Sequence, residues 1–222
     1  MIYDYPTIIV DDFFKYPLDI REFALQFKYI LSNDGTYSGV RTESLHTTHL
    51  NFFRGVCNKI LQCYSIQYKG YNATMHFHLT GEEVGNSGWV HTDAVGDQPP
   101  GIASIIYLNP QNNNINNGTT LYKVSNPNLG SEYVKEMKTA FIAGEDKKDL
   151  RDKNNQDYSP TIKIGNMFNR MIGYDTRSPH AGAAYFGTDM SSSRLTLLTF
   201  FHAIQTADNF TPIQRAEAFS DI

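Results

Sequence analysis

His91-Thr92-Asp93 places an imidazole and a carboxylate two residues apart. On an extended chain such residues point to the same side with Cα atoms roughly 6.6 Å apart, so both can reach one cation. The pattern is cheap. With seven histidines and acidic residues about a tenth of the chain, roughly 0.7 matches arise by chance. Ser178-Pro179-His180-Ala181-Gly182 supplies a later histidine, ahead of a run that opens Arg194-Leu195-Thr196. Two imidazoles and one carboxylate on one face of an octahedron suit non-haem Fe(II) and leave the opposite face open for a co-substrate and O₂. An arginine with a hydroxyl residue at i+2 can grip the far end of a dicarboxylate, because the guanidinium fork matches a carboxylate.

Each of these residues also has an ordinary reading. His91 and Asp93 could be a surface pair, His180 a loop histidine, and Arg194 half of a structural ion pair. Tyr107 could be a core aromatic with a satisfied hydroxyl. Trp89 could wall a pocket beside His91 or simply pack in the core. A competing metal site is offered by Gly70, His76, His78 and Glu82, spaced as in the first motif of the cupins. The second cupin motif is not matched, since Pro179, His180 and Gly182 come in the wrong order.

Positioning these residues requires a strand-rich frame. Thr7-Ile8-Ile9-Val10 reads as a short strand. Pro17 opens a helix that carries Ile20, Phe23, Ala24 and Phe27. Leu50, Phe53, Cys57, Ile60 and Leu61 mark a second amphipathic helix. From about Ser65 the texture changes to extended segments at 66–69, 73–79, 88–93, 102–108, 119–124, 161–164, 167–174 and 194–203. The run 102–108 is apolar on both faces, as expected where helices cover a sheet that also encloses a core. The expected class is mainly β (α+β): a double-stranded β-helix, or jelly roll, with N-terminal supporting helices. A single domain over 1–222 is expected, with support in 1–64, the barrel in 65–205, an insertion at about 126–157 and a tail at 206–222. Within the insertion, Tyr133, Met137 and Phe141 suggest a short helix, and 144–157 reads as a charged loop. The asparagine-rich stretch 109–117 reads as a connection.

Taken in order, several segments resemble the signature of the 2-oxoglutarate/Fe(II)-dependent dioxygenases, most nearly the prolyl 4-hydroxylase-like branch. They are Gly88-Trp89-Val90-His91-Thr92-Asp93, Ile105-Ile106-Tyr107-Leu108-Asn109, Gly118-Thr119-Thr120-Leu121-Tyr122, Asn169-Arg170, His180-Ala181-Gly182 and Arg194-Leu195-Thr196. The resemblance covers roughly residues 70 to 205. It implies that His91, Asp93 and His180 ligate iron, that Arg194 pairs with the distal carboxylate of 2-oxoglutarate, and that Tyr107 and Thr196 add hydrogen bonds there. It further implies Fe(II), 2-oxoglutarate and O₂ as cofactor and co-substrates, with ascorbate as an accessory reductant. The implied reaction decarboxylates 2-oxoglutarate to succinate and CO₂ while hydroxylating a substrate C–H. A peptidyl, prolyl-type residue is the first substrate class, a free amino acid or small metabolite the second, a nucleobase the third. Asp93 fills the position that halogenating relatives leave for halide, so the resemblance favours hydroxylation. Two departures stand out: the gap from His180 to Arg194 is long, and the glycine pair before the threonine is reduced to Asn117-Gly118.

Composition narrows the remaining classes. Hydrophobic residues are 41% and charged residues 19% of the 222, a foldable mixture whose core needs no metal to hold it. Nineteen Lys and Arg against 23 Asp and Glu leave a net charge of −4, which offers no field for nucleic acid or anionic lipid. Cys57 and Cys63 form neither a disulfide framework nor a zinc ribbon and fit a reducing compartment. No signal peptide or spanning run is evident, so a cytoplasmic, soluble protein is expected. A non-catalytic barrel that binds without turnover is the alternative from another class.

Overall fold

The computed structural model describes residues 4–31, 37–84, 88–94, 99–111, 114–126, 136, 139–140 and 147–207. Among the described residues, ten strands form two antiparallel sheets, the two layers of a jelly roll. They are β1 (Ile8–Val10), β2 (Tyr29–Leu31), β3 (Val40–Thr42), β4 (Tyr68–Thr80), β5 (Ile102–Tyr107), β6 (Thr119–Val124), β7 (Tyr158–Ile164), β8 (Met171–Asp175), β9 (His180–Gly182) and β10 (Arg194–Thr206). The larger sheet runs β1-β8-β5-β10-β4-β3-β2 and the smaller β7-β6-β9. The helices are α1 (Pro17–Leu25), α2 (Leu45–Thr48), α3 (Leu50–Cys63) and α4 (Lys147–Asn155). None of the described helices is long and apolar enough to cross a membrane.

Strand alternation sorts the core into two compartments. On β5, Ile102 and Ile106 join the cluster that includes Phe53, Cys57, Ile60 and Leu61 of α3, while Ala103, Ile105 and Tyr107 face the barrel interior with Leu121, Ile172 and Leu198. On β4, Met75, Phe77 and Leu79 turn toward the helices. The opposite face of that strand therefore sends His76, His78 and Thr80 inward. Helices α1 and α3 are thus the expected buttresses, and the interior is left for polar residues.

Four expectations change. The extended segments 66–69 and 73–79 are one strand, because β10 pairs with β4 from Thr80↔Arg194 to Tyr68↔Thr206 and carries the ladder through Gly70. Residues 88–93 form no continuous strand; only His91 makes a bridge, to His180. Residues 167–170 turn rather than extend, with Asn169 at φ 63°, and β8 starts at Met171. The charged stretch within 144–157 is largely α4. Of the helix expected around Tyr133, Met137 and Phe141, those three residues lie outside the described residues, as does the tail beyond 207.

The chain start is pinned by Asp175 at the end of β8. Its fully buried carboxylate accepts hydrogen bonds from the backbone N–H of Asp4 (3.0 Å) and Tyr5 (3.3 Å) and from Arg177 Nε (2.9 Å) and Nη2 (2.8 Å). Burial alone would raise this carboxyl, but the Arg177 contacts and the backbone donors take it below its ordinary value. A depressed folded-state value stabilises above the ordinary carboxylate range, and that stability is lost as pH falls through the lowered value. Asp175→Asn should therefore lose about 2–3 kcal/mol at neutral pH. The gap from wild type should close below about pH 4 in denaturant melts followed by circular dichroism.

Candidate metal centre

The segment 88–94 reaches the site by pairing irregularly with the chain around β9. His91 and His180 exchange both backbone hydrogen bonds, at 3.0 and 2.8 Å, and Asp93 N–H donates to Thr176 C=O at 2.9 Å. These contacts bring residues 89 positions apart face to face, with ring centroids 4.4 Å apart. The ring of Tyr174 lies 4.7 Å from that of His180 on β9.

Hydrogen bonding settles the tautomers. Each imidazole donates from Nδ1 to the carbonyl two residues earlier: His91 to Trp89 at 2.8 Å and His180 to Ser178 at 3.0 Å. A carbonyl can only accept, so Nδ1 carries the proton and Nε2 keeps its lone pair. Both Nε2 atoms face Asp93, His91 at 3.6 Å from Oδ1 and His180 at 3.4 Å from Oδ2. The ligand atoms of His91, Asp93 and His180 all lie within 4.8 Å of one another, and no other group of three metal-ligating side chains is found among the described residues. Asp93 Oδ2 is buried without a hydrogen-bond partner, a state that costs free energy unless something else approaches it. Burial pushes the Asp93 carboxyl up, but the pull of His180, His91 and Arg41 outweighs it and keeps the group ionised at a lowered value. Burial lowers His180, favouring the neutral ring that a metal needs. Two oriented imidazoles and an ionised, orphaned carboxylate fit a divalent transition metal with an open face.

His76 and His78 do not form the competing cupin site. His76 donates from Nδ1 to Thr42 C=O at 2.9 Å and His78 from Nε2 to Ser38 C=O at 2.6 Å. Their protonated nitrogens are thus committed to β3 and the turn before it. Glu82 sits exposed on a short 3₁₀ turn beyond the strand. As at His91 and His180, such a bond leaves the second nitrogen free, but no third metal-ligating side chain gathers with His76 and His78 among the described residues, so their spacing serves to stitch β4 to its neighbour.

Arg194 opens β10 with 4% of its surface exposed. Its Nε–H donates weakly to Asn117 C=O at 3.4 Å, and no carboxylate of a described residue forms an ion pair with it. The guanidinium lies 5.4 Å from the Tyr107 ring and 5.7 Å from the Tyr185 ring. Tyr107 O–H donates to Thr119 Oγ1 at 2.8 Å, so in this structure its proton is engaged with Thr119. Thr196 is fully buried and its Oγ1 donates to His78 C=O at 3.5 Å, a weak bond. The long connection from His180 to Arg194 now has a use: it lays Tyr185 beside Arg194. A Cβ on Gly182 would lie 2.5 Å from the Tyr185 hydroxyl, so glycine there permits the approach.

Two further positioning residues were not apparent in the sequence. At the end of α4, Asn155 accepts from Val90 N–H at 2.9 Å and donates to Gly88 C=O at 3.0 Å, while Asn154 donates to Val90 C=O at 3.0 Å. The amides replace the strand neighbour that 88–90 lacks and satisfy its backbone. Helix α4 is therefore a clamp on the segment that ends in His91. We expect Asn155→Ala to weaken metal retention by about 10- to 100-fold, as loss of supporting hydrogen bonds does at metal sites. Metal titration should show it, with little change in melting temperature.

Solved structures with this architecture include EvdO2 from Micromonospora carbonacea var. aurantiaca, complexed with 2-oxoglutarate, at TM-score 0.53, 11% identity, 93% coverage of this chain and 90% of that one. HygX from Streptomyces hygroscopicus, with nickel and 2-oxoglutarate bound, matches at TM-score 0.54 and 9% identity over 97% and 88% of the two chains. A prolyl 4-hydroxylase from Phytophthora capsici matches at 0.51 and 11% over 90% of this chain and 59% of that one. These likenesses show the fold: the double-stranded β-helix of the 2-oxoglutarate/Fe(II) oxygenases, in its prolyl hydroxylase-like form. The comparison with curated proteins gives no match. The chain belongs to DUF6445, a family of unknown function, which matches residues 3–201.

Proposed function

We propose that this protein is an Fe(II)- and 2-oxoglutarate-dependent dioxygenase that hydroxylates a C–H bond of a peptidyl (prolyl-type) residue or an amino-acid-like substrate. The observation that carries the reading is the convergence of two Nε2 lone pairs and an orphaned carboxylate within 4.8 Å. A buried arginine, with no ion-paired acid among the described residues, stands in the same barrel. Fe(II) would be held by His91, Asp93 and His180, and when bound it supplies the oxidising chemistry that couples 2-oxoglutarate decarboxylation to C–H hydroxylation.

The protein's own residues do the positioning. Trp89 and Ser178 carbonyls lock the two rings with Nε2 inward. Asp93 contributes one negative charge and occupies a ligand position, which supports hydroxylation in place of halogenation. Arg194 would receive the distal carboxylate of 2-oxoglutarate, with Tyr185 and Tyr107 walling it from water. Tyr107 would join by turning its proton from Thr119 to the arriving carboxylate, leaving Thr119 Oγ1 to find another donor. Residues 65–205 would form the catalytic core. The likeness to 2-oxoglutarate-bound EvdO2 and to nickel- and 2-oxoglutarate-bound HygX supports the choice of ligands.

The test is spectroscopic and then chemical. Anaerobic addition of Fe(II) and 2-oxoglutarate should give the weak visible charge-transfer band of the chelate. Air should then yield succinate when peptide, amino-acid and oligonucleotide pools are screened, with the first two pools active. Lack of any band in wild-type protein would favour a barrel that binds without turnover.

A further inference from the structure

A second guanidinium faces the barrel interior, and its one part in the site described above is its pull on Asp93. Arg41 pairs in register with His78 of β4, which pairs with Thr196 of β10, which pairs with Tyr107 of β5. Residues in register on neighbouring strands share a face of the sheet, so these four form one row across the inner wall. The Arg41 guanidinium stacks 4.0 Å from the Tyr37 ring centroid and lies 5.8 Å from that of Phe200. Phe200 and Asp93 line a common small cleft with Thr176 and His202. Arg41 thus shares the inner face of the larger sheet with Arg194, and its head lies toward Phe200 and the metal-ligand side.

Stacking engages the faces of a guanidinium and leaves its N–H groups, which lie in the plane, unsatisfied. Arg41 Nε is shut off from solvent and has no acceptor among the described residues. No described carboxylate is in ion-pair contact with Arg41, and the one whose charge it feels is Asp93. Nearby His78 and His76 are driven toward neutrality, by burial first and by Arg41 as well. Charge counting among the described residues and the proposed ligands then leaves a surplus. A divalent metal, Arg41 and Arg194 together exceed Asp93 and doubly charged 2-oxoglutarate by one positive unit. A buried uncompensated charge is costly, and one more anion at Arg41 would cancel it.

We infer that Arg41 anchors a carboxylate of the primary substrate against the aromatic platform of Tyr37, so that the hydroxylated molecule carries a carboxylate near its reacting carbon. This rests on the dioxygenase reading and names the substrate chemistry of that same site. The carboxylate could belong to a free amino or organic acid or to a peptide, through an acidic side chain or its C-terminus.

The test uses wild-type protein loaded anaerobically with Fe(II) and 2-oxoglutarate, followed by its charge-transfer band. Three probe sets are titrated: the protein L-amino acids, their C-terminal amides, and acetylated, amidated tripeptides with a central Asp, Glu or Pro. At least one carboxylate-bearing probe should shift the band, and its amide should bind about 10- to 100-fold more weakly, the worth of a charge-assisted hydrogen bond. Free acids acting alone identify a small substrate, and acidic tripeptides acting identify a peptide. Arg41→Gln should erase that preference while the melting temperature holds or rises, because an uncompensated buried charge has been removed. Arg41→Lys should keep part of it. The inference is overturned if no acid acts on a protein that shows the band, if acid and amide act alike, or if Arg41→Gln keeps the preference or unfolds. Absence of the band in wild type instead sinks the dioxygenase reading beneath it.

Discussion

Replacing His180 by alanine is expected to cost the protein its metal and, with it, succinate formation. The ring is buried, and the bond from Nδ1 to Ser178 aims its Nε2 at the site. Structural zinc sites gain about 10–16 kcal/mol from four ligands, or about 2.5–4 kcal/mol each, so one lost ligand of three is worth roughly 10²- to 10³-fold in affinity. His91→Ala and Asp93→Ala should match it. The three together should be little worse than one in turnover, because residues that act as a unit lose function non-additively. His76→Ala is the control. Its Nδ1–H serves β3 and its ring belongs to no ligand cluster, so Fe(II) titration should give wild-type affinity. Loss of iron in His76→Ala with retention in His91→Ala would reverse the assignment.

Arg194→Ala should raise the 2-oxoglutarate requirement roughly 30-fold to several thousand-fold, because truncating one partner of a buried charge pair costs about 2–5 kcal/mol. Fe(II) affinity in the absence of 2-oxoglutarate should be unchanged, since Arg194 is not part of the ligand cluster. Arg194→Lys should fall between, keeping the charge and losing the fork. A structural arginine would behave differently: its removal would lower the melting temperature. Here no described carboxylate pairs with the wild-type guanidinium, so melting should hold or rise. Isothermal titration with 2-oxoglutarate and Mn(II) reads the affinity without turnover. An unchanged value would remove Arg194 from the pocket.

Much of the frame was legible because its signals are local. Pro17 opens α1, the stripe Phe53, Cys57, Ile60 and Leu61 marks α3, and the doubly apolar run of β5 marks a strand between two cores. What escaped has weak local character. Strands β2 and β3 are three residues each, and Val40-Arg41-Thr42 carries no apolar alternation because its arginine faces a polar interior. Helix α4 has one apolar residue, Leu150, and no stripe; Asn154 and Asn155 tie it to the barrel. The residue types of the candidate site and their order were readable; the burial of Arg194, with no ion-paired acid beside it among the described residues, was not. Its assembly was not. The His91–His180 bridge, the i−2 carbonyls that set both tautomers, and the placement of Tyr185 over Arg194 depend on registers between distant segments. His76 and His78 show the reverse error, a motif-like spacing whose donors the fold spends on backbone carbonyls.

The most direct measurement is anomalous diffraction from crystals soaked anaerobically with Mn(II) and 2-oxoglutarate. The account predicts a single strong peak within bonding distance of His91 Nε2, His180 Nε2 and an oxygen of Asp93. The keto acid end should lie on the metal and the far carboxylate on Arg194. A peak at His76 and His78, or a 2-oxoglutarate molecule whose distal carboxylate avoids Arg194, would contradict it.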